Sequence, residues 1–157
     1  MDGESAVKPR KARVLGINHV VLEVGDLDGA LDFYGAIFVF TLRDRGDHNA
    51  FIGMGDQFIQ LTLNDRDGGS DTKRHFGLVV DDREGVPEAL AAAGAERVGE
   101  RINFRDPWGN RIEVVSYAGI QFTKADHILA GMGVGAIEKT EDALKELAEA
   151  GMAPGGS

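Results

Sequence analysis

Four polar side chains, His19, Gln60, His75 and Glu113, stand out in this chain as groups able to do chemistry. Each lies in a short stretch whose alternate positions are aliphatic, so each is expected on the face of a strand turned away from the core. Two imidazoles and a carboxylate, with a neutral amide beside them, suit a divalent first-row metal. The chain has no cysteine, which excludes disulfides, thiolate catalysis and thiolate ligands, so any metal falls to His and carboxylate. Of the four histidines, His48 in Arg45-Gly46-Asp47-His48-Asn49 and His127 near the C-terminus are read as solvated. A lone His on a strand is ordinarily a hydrogen-bonded core or surface residue, and Glu113 beside Arg111 also suits a plain exposed face. The case for a metal centre therefore rests on the four as a set.

That set recurs. His19-Val20-Val21-Leu22-Glu23-Val24-Gly25-Asp26-Leu27-Asp28-Gly29 aligns without a gap on His75-Phe76-Gly77-Leu78-Val79-Val80-Asp81-Asp82-Arg83-Glu84-Gly85, with His, Leu, Val, Asp and Gly repeated 56 positions on. Gln57-Phe58-Ile59-Gln60-Leu61 lies over Asn110-Arg111-Ile112-Glu113-Val114 at a shift of 53, making Gln60 the counterpart of Glu113. The chain thus contains an internal repeat. Two copies of a curved sheet about a pseudo-twofold would bring the four side chains toward one centre.

Each copy reads as strand, helix and three strands. In the first, Val20, Leu22 and Val24 share one face of a strand and Ile17, His19, Val21 and Glu23 the other. Asp26 caps a helix through Ala30, Leu31, Phe33, Tyr34 and Ile37. Strands follow at about Thr41 to Arg45, Asn49 to Gly53 and Gln57 to Leu63. Asn64 to Thr72, rich in Asp and Gly, is the linker. In the second copy a helix from Glu84 to Ala93 is stopped by Gly94, and strands follow at Ala95 to Gly99, Arg101 to Phe104 and Asn110 to Ser116. Asp106-Pro107-Trp108-Gly109-Asn110 is a tight turn, with positive φ tolerated at Gly109 and Asn110. After it Arg111, Glu113 and Val115 share one face, and Ile112 and Val114 the other.

The expected architecture is α+β, two tandem βαβββ modules (14–64 and 73–118) forming a cupped mixed eight-stranded sheet. Residues 1–13, with Lys8, Arg10, Lys11 and Arg13 against Asp2 and Glu4, read as a disordered tail. Residues 119–157 form a C-terminal extension: Ile120 to Ala136 lacks a clear period, and one helix follows with Thr140 as N-cap and Leu144, Leu147 and Ala148 as its apolar stripe. That stripe should dock on the domain or on a second subunit.

A length of 157 residues with 43% hydrophobic and 27% charged content fits one globular domain. A net charge of -9 argues against a nucleic-acid surface, and no apolar run is long enough to span a membrane or act as a secretory signal. A soluble, cytoplasmic protein is the expectation.

The paired modules, with His opening the first and fifth strands and the Asp106-Pro107-Trp108-Gly109-Asn110 turn leading to Glu113 on the eighth, resemble the vicinal oxygen chelate superfamily. That superfamily includes glyoxalase I, extradiol dioxygenases, fosfomycin-resistance transferases and bleomycin-binding proteins. The resemblance runs from Gly16 to Tyr117. It implies one divalent metal (Fe, Mn, Ni, Zn or Co) held by His19, His75 and Glu113, with Gln60 a further candidate, a small-molecule substrate bound through two oxygens, and a homodimer. Phe58, Thr62, Phe104, Arg111 and Val115 are candidates to line the pocket.

The reaction is where the readings divide. The bacterial glyoxalase I pattern places Glu at the position of Gln60, and a neutral amide cannot act as a general base, so Glu113 alone would carry proton chemistry as the catalytic carboxylate. Two His and one carboxylate resemble the facial set that leaves open positions on Fe(II), so the expected activity is dioxygenase-type, with a glyoxalase I-like lyase or isomerase as the alternative. A bleomycin-type protein that sequesters an antibiotic without metal is the non-enzymatic alternative, against which retention of the ligand set counts.

Overall fold

The computed structural model describes residues 11–13, 15, 17–66 and 68–155. Most of the tail expected at residues 1–13 lies outside the described residues. The first module runs β1 (His19–Val24), α1 (Leu27–Ile37), β2 (Thr41–Arg45), β3 (Asn49–Met54) and β4 (Gln57–Leu63). The second runs β5 (Phe76–Val80), α2 (Val86–Ala92), β6 (Glu96–Arg97), β7 (Asn103–Arg105) and β8 (Arg111–Ser116). The eight strands form two four-stranded mixed sheets, ordered β1-β4-β3-β2 and β5-β8-β7-β6. In each, the first strand runs parallel to the last, with His19 opposite Phe58 and Gly77 opposite Glu113.

Alternation decides what is buried. Leu22 and Val24 of β1, Ile59 and Leu61 of β4, and Ile112 and Val114 of β8 are buried, while their neighbours face the other way. One core serves both modules: Phe33 of α1 and Phe38 after it each lie 6.2 Å, centroid to centroid, from Phe104 of β7. Phe104 is opposite Ile112 in the β7–β8 ladder and fully buried. It therefore belongs to the core and not to the pocket: the sequence shows no parity for a three-residue strand, and the register puts Asn103, not Phe104, opposite Glu113.

Asp26 is the N-cap of α1, accepting a hydrogen bond from Asp28 N at 3.1 Å. Gly94 adopts φ +69 just past α2, which begins at Val86, later than expected. In the 106–110 turn only Gly109 (φ +89) has positive φ, Asn110 being held in ordinary backbone. A Cβ at Gly109 would come within 2.7 Å of the Ser70 Cα, so the linker passes too close for any other residue.

After β8 comes a 3-10 turn (Tyr117–Gly119), then α3 (Asp126–Gly131) and α4 (Glu141–Glu149). α3 lies inside the stretch expected to be irregular. Six residues are too few to show a helical period, and the helix packs Ile128 and Met132 over Gly55 at the β3–β4 turn. α4 docks on its own chain against the 3-10 turn, Thr140 N donating to Ala118 O at 2.9 Å. Its buried positions are Ala143 and Leu147, whereas Leu144 is 38% exposed, so the inward stripe is rotated from the expected one. Lys139, just before α4, donates to the carbonyls of Tyr117, Ile120 and Phe122 and lies 3.5 Å from the Tyr117 ring centroid. Burial lowers its pKa, the three carbonyls being what its ammonium gains in place of water. Among the described residues no helix is long and apolar enough to cross a membrane.

Candidate metal centre

The repeat produces two matching placements of a His and a polar residue, the candidate half-sites. Two residues after each His, the strand pairs with the polar residue of its neighbour: Val21 lies opposite Gln60, and Gly77 opposite Glu113. Each parallel ladder thus has a His at or just before the start of its first strand and, opposite the residue two positions on, a side chain with an oxygen on the adjacent strand.

In the second half-site His75 and Glu113 already meet, His75 Nε2 lying 3.5 Å from Glu113 Oε2. His75 Nδ1 lies 2.7 Å from the Lys73 carbonyl, which can only accept, so Nδ1 is a donor and Nε2 is the ring nitrogen turned toward the carboxylate. This is the arrangement of a metal-binding imidazole, whose other nitrogen donates to a fixed acceptor. Two ligands about 2.1 Å from one tetrahedral cation stand roughly 3.4 Å apart, which matches the observed spacing. Gly77, lacking a side chain, leaves the space beside Glu113 open. Arg101 Nη1 lies 3.6 Å from Glu113 Oε1 from an 85% exposed position.

The linker sets the orientation of His75. Asp71 accepts from Arg66 and Arg74, each at 2.8 Å, and from Arg111 N at 3.4 Å. Partial burial pushes its carboxyl pKa up, but the hydrogen bonds from Arg66, Arg74 and the Arg111 backbone outweigh this and leave it lowered. Arg105 Nε donates to Asp71 O at 2.7 Å and Arg111 Nη1 to Thr72 O, so the backbone leading to Lys73 is tied to β7 and β8. Beside this clamp is an open groove of about 540 Å³ lined by Glu23, Arg66, Ser70, Asp71, Lys73 and Arg74. Arg111, expected in the pocket, also donates to Asn103 Oδ1 at 3.1 Å, so it acts as a brace between strands. Val115 of β8 is half-buried, opposite Val79 of β5.

The first half-site holds His19 stacked on Phe58, centroids 4.9 Å apart and planes within 6°, with Nδ1 2.9 Å from Asn18 Oδ1. Gln60 Nε2 donates to Asn49 Oδ1 at 3.1 Å and to Thr62 Oγ1 at 3.0 Å, and the Thr62 hydroxyl donates to Asn49 Oδ1 at 3.1 Å. Both amide hydrogens of Gln60 being engaged, its Oε1 is the atom left for a ligand role. No local sequence signal marks Asn49 for this role, although it shares strand parity with Phe51 and faces Thr62 across the ladder. His48 and His127 are exposed, as expected.

Within one chain the half-sites stay apart: among the described residues no three His, Cys, Asp or Glu side chains gather closely enough to hold one cation. His75 and Glu113 are brought together; His19 and Gln60 lie on the neighbouring strands β1 and β4 of the first sheet, each with partners of its own.

A metallothiol transferase, FosB, of Shouchella clausii is 28% identical over 116 residues, covering 64% of this chain and 80% of the relative. A probable lactoylglutathione lyase of Vibrio cholerae is 29% identical over 133 residues, covering 67% and 96%. Among solved structures, a variant of the fosfomycin resistance protein FosX from Listeria monocytogenes, crystallised with Mn(II) and 1S,2S-dihydroxypropylphosphonic acid, superposes with a TM-score of 0.57 at 23% identity, covering 65% of this chain and 90% of that one. Its likeness is one of fold. The family model described as Glyoxalase/Bleomycin resistance protein/Dioxygenase superfamily matches residues 16–114, both βαβββ modules through most of β8 and none of α3 or α4, and the chain belongs to that superfamily.

Proposed function

We propose that this protein is a metal-dependent enzyme acting on a small molecule that presents two neighbouring oxygens, its cation held by His75 and Glu113 of one copy and His19 and Gln60 of a second. The observation that carries this reading is the His75–Glu113 pair, with Nε2 3.5 Å from the carboxylate and Nδ1 donating to the Lys73 carbonyl. The matched register of the two half-sites supports a symmetric dimer, because a twofold axis that joins one pair to its complement joins the other also.

A bound divalent cation would polarise a substrate oxygen as a Lewis acid. The protein's own groups do the rest. Glu113 is the one carboxylate of the four residues and the group able to move a proton, since the Gln60 amide cannot. Gln60, held by Asn49 and Thr62, offers a neutral oxygen and adds no charge. Lys73 O accepts from His75 Nδ1 and so turns Nε2 toward the centre.

A transferase or lyase is the class supported by the printed activities of FosB and the Vibrio protein. Dioxygenase chemistry is the second reading, favoured by the His, His and Glu composition alone. Oxygen uptake by Fe(II)-loaded protein with catechols would favour the second; turnover of hemithioacetals, or of thiols with epoxides, in the presence of Mn(II), Ni(II) or Zn(II) would favour the first.

The centre itself is tested by mixing. Neither His19→Ala nor His75→Ala should hold metal tightly, whereas unfolding and refolding them together should restore about a quarter of the wild-type sites, those of mixed dimers carrying one intact centre. No recovery in the mixture, or full occupancy in either variant alone, would sink the shared centre.

A further inference from the structure

Arg43 is the unpaired residue of a β-bulge: Leu42 pairs with Ile52 and Asp44 with Phe51, leaving Arg43 without a partner on β3. Residues 43 and 45 would share a face in a regular strand. Here Arg45 pairs with Asp28 on α1 at 2.7 Å, while the Arg43 guanidinium lies 5.7 Å from the Phe58 ring centroid, on the face that carries His19 and Gln60. Bulges re-aim side chains in this way.

The crossing from β2 to β4 requires Gly53. Gly53 lies opposite Phe58 in the β3–β4 ladder, and a Cβ there would come within 2.8 Å of Arg43 Cγ and 2.9 Å of Cδ. The aliphatic stem of Arg43 lies across this gap. The result is a row of imidazole, phenyl ring and guanidinium, His19–Phe58–Arg43, with Phe51 against Phe58 at 5.8 Å. Among the described residues Arg43 has no carboxylate within 4.0 Å, whereas Arg45, Arg66, Arg101 and Arg105 each have one. A guanidinium lying on an aromatic face keeps its in-plane N–H donors available for a carboxylate.

We infer that Arg43 binds an oxyanion, such as a carboxylate, on the substrate, whose body lies along the Phe58 and Phe51 rings while its chelating oxygens lie at the His19 end. This names the substrate class of the proposed enzyme as an acid and rests on that reading for the position of the metal; the Arg43 contact itself needs no metal.

Metal-free protein is titrated with benzoate, and with benzamide as its neutral counterpart, while the Arg43 Nε–H and Phe58 ring signals are followed by NMR. Saturable shifts with benzoate are expected, at least about tenfold weaker with benzamide and in Arg43→Met, and partly retained in Arg43→Lys. No saturable benzoate binding, or the same affinity in Arg43→Met, would overturn the assignment. His75→Ala is expected to bind benzoate like wild type while losing metal. Benzoate binding therefore fails or survives separately from the metal centre.

Discussion

Tyr34 Oη donates to Asp106 Oδ2 at 2.7 Å, linking the helix of the first module to the turn that opens the last strand of the second. The Asp106 side chain also accepts from Trp108 N, Asn110 N and Asn110 Nδ2, and Asn110 Nδ2 reaches across to Glu23 O of β1 at 3.0 Å. Burial, then the charge of Asp106 and the hydrogen bond to it, raise the Tyr34 pKa well above its usual value, so the phenol remains a neutral donor. The turn is thus both a chain reversal and the polar joint between modules.

Removing that joint should be felt in stability. Tyr34→Phe is expected to cost about 1–2 kcal/mol and Asp106→Ala about 3 kcal/mol, because the latter orphans several buried donors at once. At about 2–4 °C per kcal/mol for a chain of this size, thermal unfolding followed by circular dichroism separates the two variants. Equal melting temperatures would deny the turn this role.

Asp71 supplies a pH signature. Its folded-state pKa is lowered, so its contribution is present above the unfolded value of about 3.9 and is lost as the pH falls through the folded value. Wild-type stability in urea should fall between pH 5 and lower pH partly through this group. Asp71→Asn should be less stable at pH 7 by about 1–3 kcal/mol and show a shallower decline. A variant with an unchanged acid slope would exclude the clamp.

Gln60→Glu should bind Mn(II) about tenfold more tightly, a carboxylate replacing a neutral oxygen at the cation. Competition against a chromophoric chelator measures this. The Asn49 amide would have to turn and donate, so Asn49→Leu should leave the gain smaller in Gln60→Glu than the wild-type background does.

Gly53→Ala leaves the guanidinium in the chain but puts a methyl group where the stem of Arg43 now lies. Benzoate affinity should fall about threefold to tenfold while metal content stays unchanged. Unaltered affinity would mean that Arg43 reaches its ligand by another route.

The sequence alone carried the strand faces, the internal repeat, the Asp26 and Thr140 caps and the Gly94 stop, since each is local: alternation, capping and turn chemistry act over a few residues. What it could not carry was non-local or too short to show a period. α3 spans six residues, Phe104 sits in a three-residue strand whose face is set by its pairing with Ile112, and the Arg43 bulge exists because of how β2 meets β3. The separation of His19 and Gln60 from His75 and Glu113 within one chain is of the same kind. Periodicity says which face of a strand is polar, but what that face meets depends on how Phe33, Phe38 and Phe104 pack the two modules into one core, and that only the tertiary structure decided.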